Sequence, residues 1–199
     1  MLGKGAAMHD VIVVGARCAG TPTARLLARQ GYRVLLVDRA TFPSDTISTH
    51  CIRMSGIVQL QRWGLLDRVA ATNCSPIRKL MTHRGDFALT GTPPPRPDGL
   101  VSYGPRRTKL DTVLVKAAAE AGAEVRTGFT VQDLLLEDDR VVGLRGQTRG
   151  GQAVTERARL VIGADGKHSL VARCVQAAPY REVPALACAY YAFGSWAER

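Results

Sequence analysis

The residues with the clearest chemical potential lie near the N-terminus, where a short apolar run ends in a glycine turn. Gly15 and Gly20 follow Val11–Val14 at the spacing of a dinucleotide-binding fingerprint, whose first glycine makes the tight turn and whose third lets a helix pack closely on a strand. Asp38 ends the next apolar run, where a carboxylate can accept hydrogen bonds from ribose hydroxyls. The spacing predicts a nucleotide site.

Arg17 occupies the middle position of this fingerprint, where glycine normally lets the backbone approach a diphosphate. An arginine there can swing its guanidinium toward the diphosphate, beside a helix N-terminus that already attracts anions. Two other interpretations stay open: the side chain points to solvent beside an unaltered turn, or it obstructs the site. Asp38 favours an unphosphorylated ribose, and the neighbouring Arg39 is placed to contact adenine or phosphates.

The elements that must position these residues form one βαβ unit. The sequence predicts a strand over Asp10–Val14, a helix over Cys18–Gln30 and a second strand over Arg33–Val37, with Gly31 ending the helix. Both strands are continuously apolar, which is typical of strands buried on both faces of a parallel sheet. This unit alone leaves nicotinamide and flavin dinucleotides equally compatible with the site.

Beyond the βαβ unit, the sequence predicts an α/β fold with an inserted antiparallel meander. The proline-rich segment Gly91–Gly99 is expected to be a loop, because proline lacks the backbone donor. The expected elements are helices over Met54–Trp63, Leu65–Ala71 and Lys109–Ala121, short strands over Lys79–Arg84 and Phe87–Leu89, and meander strands over Glu124–Leu136, Val141–Leu144 and Val154–Ile162.

The net charge of +10 raises the question of nucleic acid, which lysine and arginine bind by neutralising phosphates. The basic residues are scattered and no aromatic residues interleave with them, so no nucleic-acid partner is expected. The five cysteines form no CxxC pair, which indicates free thiols, and the four histidines show no metal-ligand spacing. No metal site is therefore predicted.

The hydrophobic content of 46% is enough for a real core, and no apolar run approaches the length of a membrane span. The N-terminus also lacks the basic region and apolar run of a signal peptide. A cytoplasmic protein without stable membrane insertion is expected, with residues 1–8 as a short disordered leader.

Three motifs in a fixed order carry a family resemblance. They are VVGARCAG with LLVDR, then RTKLDTVLVKAAAEAGAEV at Arg107–Val125, and finally GADGKHSLVAR at Gly163–Arg173. The last two match the RxxLDxxLxxxAxxxG and DGxxSxxR patterns of FAD-dependent group A aromatic hydroxylases. About Asp10–Arg173 therefore resembles the FAD-binding part of the p-hydroxybenzoate hydroxylase-like flavoproteins, especially the branch with geranylgeranyl reductases and halogenase-like oxidoreductases.

The resemblance implies that FAD is bound by residues from all three motifs and their surroundings. In this scheme the glycine turn cradles the pyrophosphate and Asp38 holds the ribose. Arg107 reaches the ribityl chain or a phosphate, and Val131 offers backbone contacts to adenine. Asp165 and Gly166 have a double role, near the FAD diphosphate and near the nicotinamide donor. The implied cofactor-binding residues are Gly15, Ala16, Arg17, Ala19, Gly20, Asp38, Arg39, Arg107, Val131, Asp165 and Gly166.

Simpler interpretations stay open for some of these positions. Arg107 is also explained as a solvated arginine before a helix, and Asp165-Gly166 as an ordinary strand-to-helix turn. The resemblance gives Arg173 a structural role in bracing that turn, and Ser169 is a plausible cap for the short helix that begins there.

The function implied by the resemblance is an FAD-dependent oxidoreductase of the monooxygenase or reductase type. NAD(P)H would reduce the flavin, and the substrate would be a hydrophobic or aromatic small molecule. His50 and Arg53 are expected to support the fold rather than to catalyse, and no catalytic residue is predicted. The alternative is a truncated, non-catalytic module that binds a nucleotide or dimerises.

The chain departs from the family after Arg173, where the expected glycine-aspartate motif does not follow. Residues 9–175 are expected to form the FAD-binding domain, with 76–104 partly a substrate-domain insertion, and 176–199 to begin an incomplete substrate-binding domain. A strand is expected over Leu186–Phe193, with an edge open to pairing. The expected partner is a second copy in a homodimer, or a missing C-terminal half.

Overall fold

The computed structural model describes residues 8–184 together with Leu186, Cys188 and Tyr190. The leader expected over residues 1–8, except Met8, and most of the strand expected over Leu186–Phe193 therefore lie outside the described residues. In the described part of the chain, no helix is long and apolar enough to cross a bilayer.

The N-terminal βαβ unit is confirmed. Strand β1 (His9–Val14) leads through a turn into helix α1 (Gly20–Arg29), and strand β2 (Val34–Asp38) returns parallel to β1. Gly31 follows the helix at φ +90°, a left-handed conformation that a residue with a Cβ adopts only with strain. All of β2 is buried, as expected for a strand inside a parallel sheet.

One six-stranded sheet carries the arrangement and confirms the predicted Rossmann-like architecture. It adds β7 (Glu124–Thr127), β8 (Phe129–Glu137), β9 (Arg140–Thr148) and β10 (Ala153–Gly163), in the order β7-β2-β1-β10-β9-β8. The first four strands of this order are parallel, and the winding of the sheet reverses between β1 and β10. In doubly wound sheets, ligands bind beyond the carboxyl ends of the strands at this switch point.

One predicted strand is divided in the structure, and another is extended by one residue at each end. The strand expected over Glu124–Leu136 is two strands, because Gly128 at φ +67° turns the chain between β7 and β8, which lie at opposite edges of the sheet. β10, by contrast, is one long strand that pairs antiparallel with β9 and then, from Ala158 onward, parallel with β1. The meander is therefore continuous with the parallel sheet.

The core follows alternate residues of the central strands. On one face, Ile12 and Leu35 pack against the meander. On the other face, Val13 and Leu36 pack against α1 and helix α4 (Arg107–Glu120). All four side chains are fully buried, so the carboxyl ends of these strands are rigidly placed.

The remaining elements surround this sheet. Helices α2 (Met54–Arg62) and α3 (Leu66–Ala70) pack with α4, and α5 (Leu170–Cys174) follows β10. Two small sheets pair β3 (Ser75–Ile77) with β6 (Ser102–Gly104) and β4 (Leu80–Arg84) with β5 (Phe87–Gly91). The sequence does not predict β3 and β6, because three-residue strands carry too short a pattern. Every residue of the β4–β5 hairpin is exposed.

Candidate functional site at the switch point

The turn between β1 and α1 is built from two close backbone approaches. Gly15 has φ +106°, and a Cβ added to it would lie 2.4 Å from the carbonyl oxygen of Ala164, which follows β10. A Cβ on Gly20 would lie 1.9 Å from the carbonyl oxygen of Gly15. Both fingerprint glycines are therefore sterically required, and Gly15 brings the turns after β1 and β10 together at the switch point.

Helix α1 begins at this turn with an open N-terminus. Ala19 is the N-cap residue; among the described residues no side chain caps the helix, and its first turn holds no acidic residue. The first N–H groups of a helix carry partial positive charge. In α1 the N–H groups of Thr21 and Thr23 are bonded to the carbonyl oxygens of Arg17 and Ala19, and Pro22 has none. An anion at the switch point would therefore meet the N–H groups that precede Thr21.

Asp38, at the end of β2, ties this turn in place. Its Oδ2 accepts a hydrogen bond from the Ala16 N–H at 2.7 Å, and its Oδ1 accepts one from the Ala40 N–H at 2.7 Å. Ala16, a predicted cofactor-binding residue, is itself buried, and its N–H is used in the bond to Asp38. A carboxylate offers about four acceptor positions, which leaves Asp38 with capacity for ribose hydroxyls.

Arg17 turns inward from the glycine turn rather than out to solvent. Its Nη1 donates to Oδ2 of Asp111 at 2.7 Å, and its Nη2 donates to the Ser44 hydroxyl at 3.2 Å. The guanidinium carbon lies 5.6 Å from the centre of the Phe42 ring, within cation–π range. The side chain remains 27% exposed, so a ligand can reach it while it is paired.

Asp111 is the site residue that the sequence analysis missed. It is fully buried in α4 and accepts two bonds from Arg107, from Nε to Oδ1 and from Nη2 to Oδ2, both at 3.0 Å. Burial opposes the charge on Arg107, but the hydrogen bonds to Asp111 and the nearby negative charges outweigh it and raise the pKa of the guanidinium. Arg107 is therefore not a solvated arginine. Its i,i+4 spacing from Asp111 was the available signal.

Two cavities lie near the arginine cluster, the name used below for Arg17, Arg107 and Asp111. Ser44, which accepts a hydrogen bond from Arg17, lines the first cavity, and Arg107 itself lines the second. The first cavity, of about 460 Å³, is lined by Arg39, Ala40, Thr41, Pro43, Ser44, Gly128, Thr130 and Arg149. The second, of about 280 Å³, is lined by residues that include Cys18, His50, Cys51, Arg53 and Arg107.

Two of the predicted adenosine contacts lie at or beside the first cavity. Arg39 lines it, and Gly128 and Thr130 line it immediately before Val131, whose backbone is predicted to contact adenine. The side chain of Val131 packs against the hydrophobic core, which leaves that prediction about its backbone open. Arg149 is a further wall residue that the sequence did not indicate, because only the pairing of β8 with β9 brings it there.

Asp165 and Gly166 lie directly after β10, yet the carboxylate of Asp165 serves the next helix. Its Oδ1 accepts from the Ser169 hydroxyl at 2.6 Å, and its Oδ2 accepts from the Leu170 N–H at 2.7 Å. These contacts are those of a strand-to-helix turn. Gly166, at φ +88°, has no atom within 4 Å of an added Cβ among the described residues, so the turn is open on that side.

The expected structural roles of Ser169 and Arg173 are confirmed. The Ser169 hydroxyl accepts from the Ala172 N–H at 2.9 Å, which caps α5. Arg173 donates from Nη1 to the carbonyl oxygen of His168 at 2.8 Å and so braces the turn.

The arrangement suits an elongated ligand with negative charge at its centre. Two guanidiniums share one carboxylate, which leaves a net positive charge beside the open end of α1. A diphosphate is favoured both by that charge and by the helix N-terminus. A dinucleotide such as FAD, with a cavity available to each half, therefore fits the residues present.

The sequence of this chain is similar to those of known proteins. The model of a family described as FAD binding domain matches residues 8–187. Digeranylgeranylglycerophospholipid reductase of Methanocella arvoryzae is 32% identical over 172 residues, which cover 83% of this chain and 41% of that protein. Protein FixC of Salmonella typhi is 31% identical over 174 residues, which cover 83% of this chain and 38% of FixC.

A solved structure shows the same fold. The myxobacterial chondrochloren halogenase CndH, described as a new variant of FAD-dependent halogenases, matches with a TM-score of 0.70 at 26% identity. The match covers 80% of this chain and 38% of the halogenase. The chain thus spans about 40% of the length of these relatives.

Proposed function

The chain belongs to the FAD binding domain family, and from that premise we propose that it binds FAD as the cofactor-binding part of an FAD-dependent oxidoreductase. The observation that carries the proposal is the arginine cluster beside the N-terminal end of α1, with one cavity lined by Ser44, the partner of Arg17, and a second cavity lined by Arg107. This is the charge pattern that a dinucleotide diphosphate requires.

We assign the diphosphate to the glycine turn and Arg17, and the adenosine half to the first cavity. Asp38 keeps acceptor capacity for the ribose, and Arg39 and Arg149 flank that cavity. The flavin half is assigned to the side of Arg107 and the second cavity. When bound, the flavin supplies the redox chemistry, and the protein orients it and limits its contact with water.

We further propose NAD(P)H as the electron donor and a hydrophobic or aromatic small molecule as the substrate, in a reaction of the monooxygenase or reductase type. One relative is named as a reductase of a digeranylgeranyl phospholipid, which supports an apolar substrate. We assign residues 76–104 in part to a substrate-binding domain. Their exposed hairpin, which includes Phe87 and Leu89, supports the same substrate class.

Flavin fluorescence tests the binding step. Titration of the purified chain with FAD is expected to saturate, and Arg17→Ala is expected to weaken binding about tenfold or more, the size of one charge-assisted hydrogen bond. Arg33→Ala is the matched control, because it removes the same charge from an exposed pair with Asp10 at the amino end of β1. Absence of saturable binding, or equal losses in both variants, would contradict the proposal.

Anaerobic reduction tests the oxidoreductase step. Adding NADPH or NADH to the FAD-loaded chain is expected to bleach the flavin absorbance. A chain that binds FAD in an Arg17-dependent way, but whose flavin neither nicotinamide reduces, would instead support the non-catalytic nucleotide-binding module.

A further inference from the structure

Asp111 is a buried carboxylate with more positive charge around it than it needs. Its side chain is 0% exposed, and a buried carboxylate is tolerated only when it is paired and hydrogen-bonded. Arg107, one helical turn earlier, satisfies that need alone, because it donates two hydrogen bonds to the two oxygens. The second guanidinium, from Arg17, is not required for neutrality.

This second arginine is held at three points. Asp111 accepts from Nη1, Ser44 accepts from Nη2, and the Phe42 ring lies beside the guanidinium. A free arginine side chain samples many rotamers, and ordering it on binding costs affinity. Arg17 is ordered before any ligand arrives.

The held guanidinium keeps unused capacity. An arginine has five N–H donors, and two of them are used in the contacts with Asp111 and Ser44. Arg17 is also the more accessible member of the pair, with 27% of its side chain exposed against 13% for Arg107. Its backbone lies in the turn that ends at the open N-terminus of α1.

We propose that Asp111 is a positioning residue for the diphosphate: it fixes Arg17 at the end of α1 so that the remaining N–H donors of that arginine are preorganised for phosphate oxygens. The inference rests on the proposed FAD function and deepens it, since it explains how an arginine can replace the central glycine of the fingerprint. Asp111 acts through Arg17 and does not itself contact the ligand.

The direction in which Asp111→Asn changes the affinity for a diphosphate separates a positioning role from an effect of charge alone. Asp111→Asn removes a negative charge close to the anion site, and through-space attraction alone would then tighten the binding of a diphosphate. Loss of positioning predicts the opposite, a weakening of about tenfold, because part of one charge-assisted hydrogen bond is lost. A weakening therefore has the sign that only positioning gives.

ADP is the probe, because it carries the diphosphate without the flavin. Calorimetric titration is expected to show about tenfold weaker ADP binding for Asp111→Asn and unchanged binding for Glu120→Gln. Glu120 is the matched control: it is an exposed acidic residue of the same helix and is paired with Arg68. Adenosine affinity is expected to be equal in all three proteins. Unchanged or tighter ADP binding by Asp111→Asn would overturn the inference.

A double-mutant cycle tests whether Asp111 acts through Arg17. In an Arg17→Ala background, Asp111→Asn is expected to cause no further loss of ADP affinity, and an independent second loss would overturn the inference. If Asp111→Asn does not fold, Arg17→Lys replaces it. Lysine keeps the charge but lacks the two Nη groups through which Arg17 bonds Asp111 and Ser44. ADP affinity is therefore expected to fall to the Arg17→Ala value. Retained affinity would overturn the inference.

The two levels of the proposal fail differently. Absence of ADP and FAD binding by the wild-type chain refutes the proposed function. Binding by the wild type that depends on Arg17 but not on Asp111 refutes only the positioning role.

Discussion

The switch-point edge of the sheet and the β4–β5 hairpin differ in which side chains they bury and which they expose. At the edge, the polar groups of Asp38 and Asp111 are buried and each has two or more partners. In the hairpin, Phe87 and Leu89 are each 62% exposed although they are large and apolar. The first region buries polar groups, and the second leaves apolar groups exposed to water.

The switch-point edge, where FAD is proposed to bind, is called the cofactor edge below, and the hairpin belongs to the region proposed to contact substrate. Buried polar groups that are paired with one another depend on each partner staying in place. The hairpin register puts Leu80, Phe87 and Leu89 on one face, and an exposed apolar face of this kind marks an interaction or ligand surface. The edge is therefore expected to be sensitive to single substitutions, and the hairpin tolerant.

The largest expected effect is at the first fingerprint glycine. Gly15→Val combines a positive φ with a Cβ 2.4 Å from the Ala164 carbonyl oxygen. Strain and overpacking together are expected to cost about 2–6 kcal/mol of the free energy of unfolding and to abolish FAD binding. Denaturant unfolding and FAD titration measure the two effects.

Gly31→Ala is the control for this substitution. Gly31 also has a positive φ, but an added Cβ would meet no atom within 4 Å in the described part of the chain. The expected cost is about 1–2 kcal/mol, from the left-handed conformation alone, with FAD affinity retained. Equal costs at Gly15 and Gly31 would show that the close approach of the two turns contributes nothing.

The next effect compares two leucines. Leu35→Ala empties a fully buried position under the site and is expected to cost about 2–5 kcal/mol. Leu89→Ala makes the same chemical change in the hairpin and is expected to cost less than about 0.5 kcal/mol. Thermal unfolding of both variants measures the ratio, and a comparable loss at Leu89 would mean that a further surface covers the hairpin.

The cofactor edge was predictable where its signals are local in sequence. The turn at Gly15, the length of α1 and the position of Asp38 follow from apolar runs and glycine spacing within thirty residues. The close approach of Gly15 to Ala164 depends on the distant strand β10, whereas the positive φ at Gly15 is a local requirement that glycine spacing reveals. The βαβ unit and its place in a parallel sheet were correct for that reason.

The features that escaped prediction depend on distant pairing. Asp111 and Arg17 are 94 positions apart, and no local pattern shows that they share a hydrogen bond. Arg149 enters the first cavity only through the β8–β9 register. The break at Gly128 was missed because both flanking segments have strand composition, and a single glycine does not reveal that the strands lie at opposite edges.

A smaller effect concerns the surface chemistry of the hairpin. Replacing Phe87 and Leu89 together by threonine keeps strand propensity and removes most of the apolar face. The melting temperature is expected to stay within about 2 °C, while the fluorescence of an environment-sensitive apolar dye falls at least about twofold. A large drop in melting temperature would contradict the view that this face is uncovered.

The smallest effect is a pH response at the loop beside the cofactor edge. Arg106 donates to Asp45 at 2.6 Å, and this hydrogen bond lowers the pKa of the exposed Asp45 carboxyl. A carboxyl whose pKa is lower in the folded chain than in the unfolded chain stabilises the fold at pH values above the ordinary pKa of 3.8. This stabilisation disappears as the pH falls through the lowered pKa of the folded chain. Asp45→Asn is therefore expected to melt about 1–2 °C below wild type at neutral pH and level with it in strong acid. A difference that persists in acid would assign the stability of this loop to packing instead of charge.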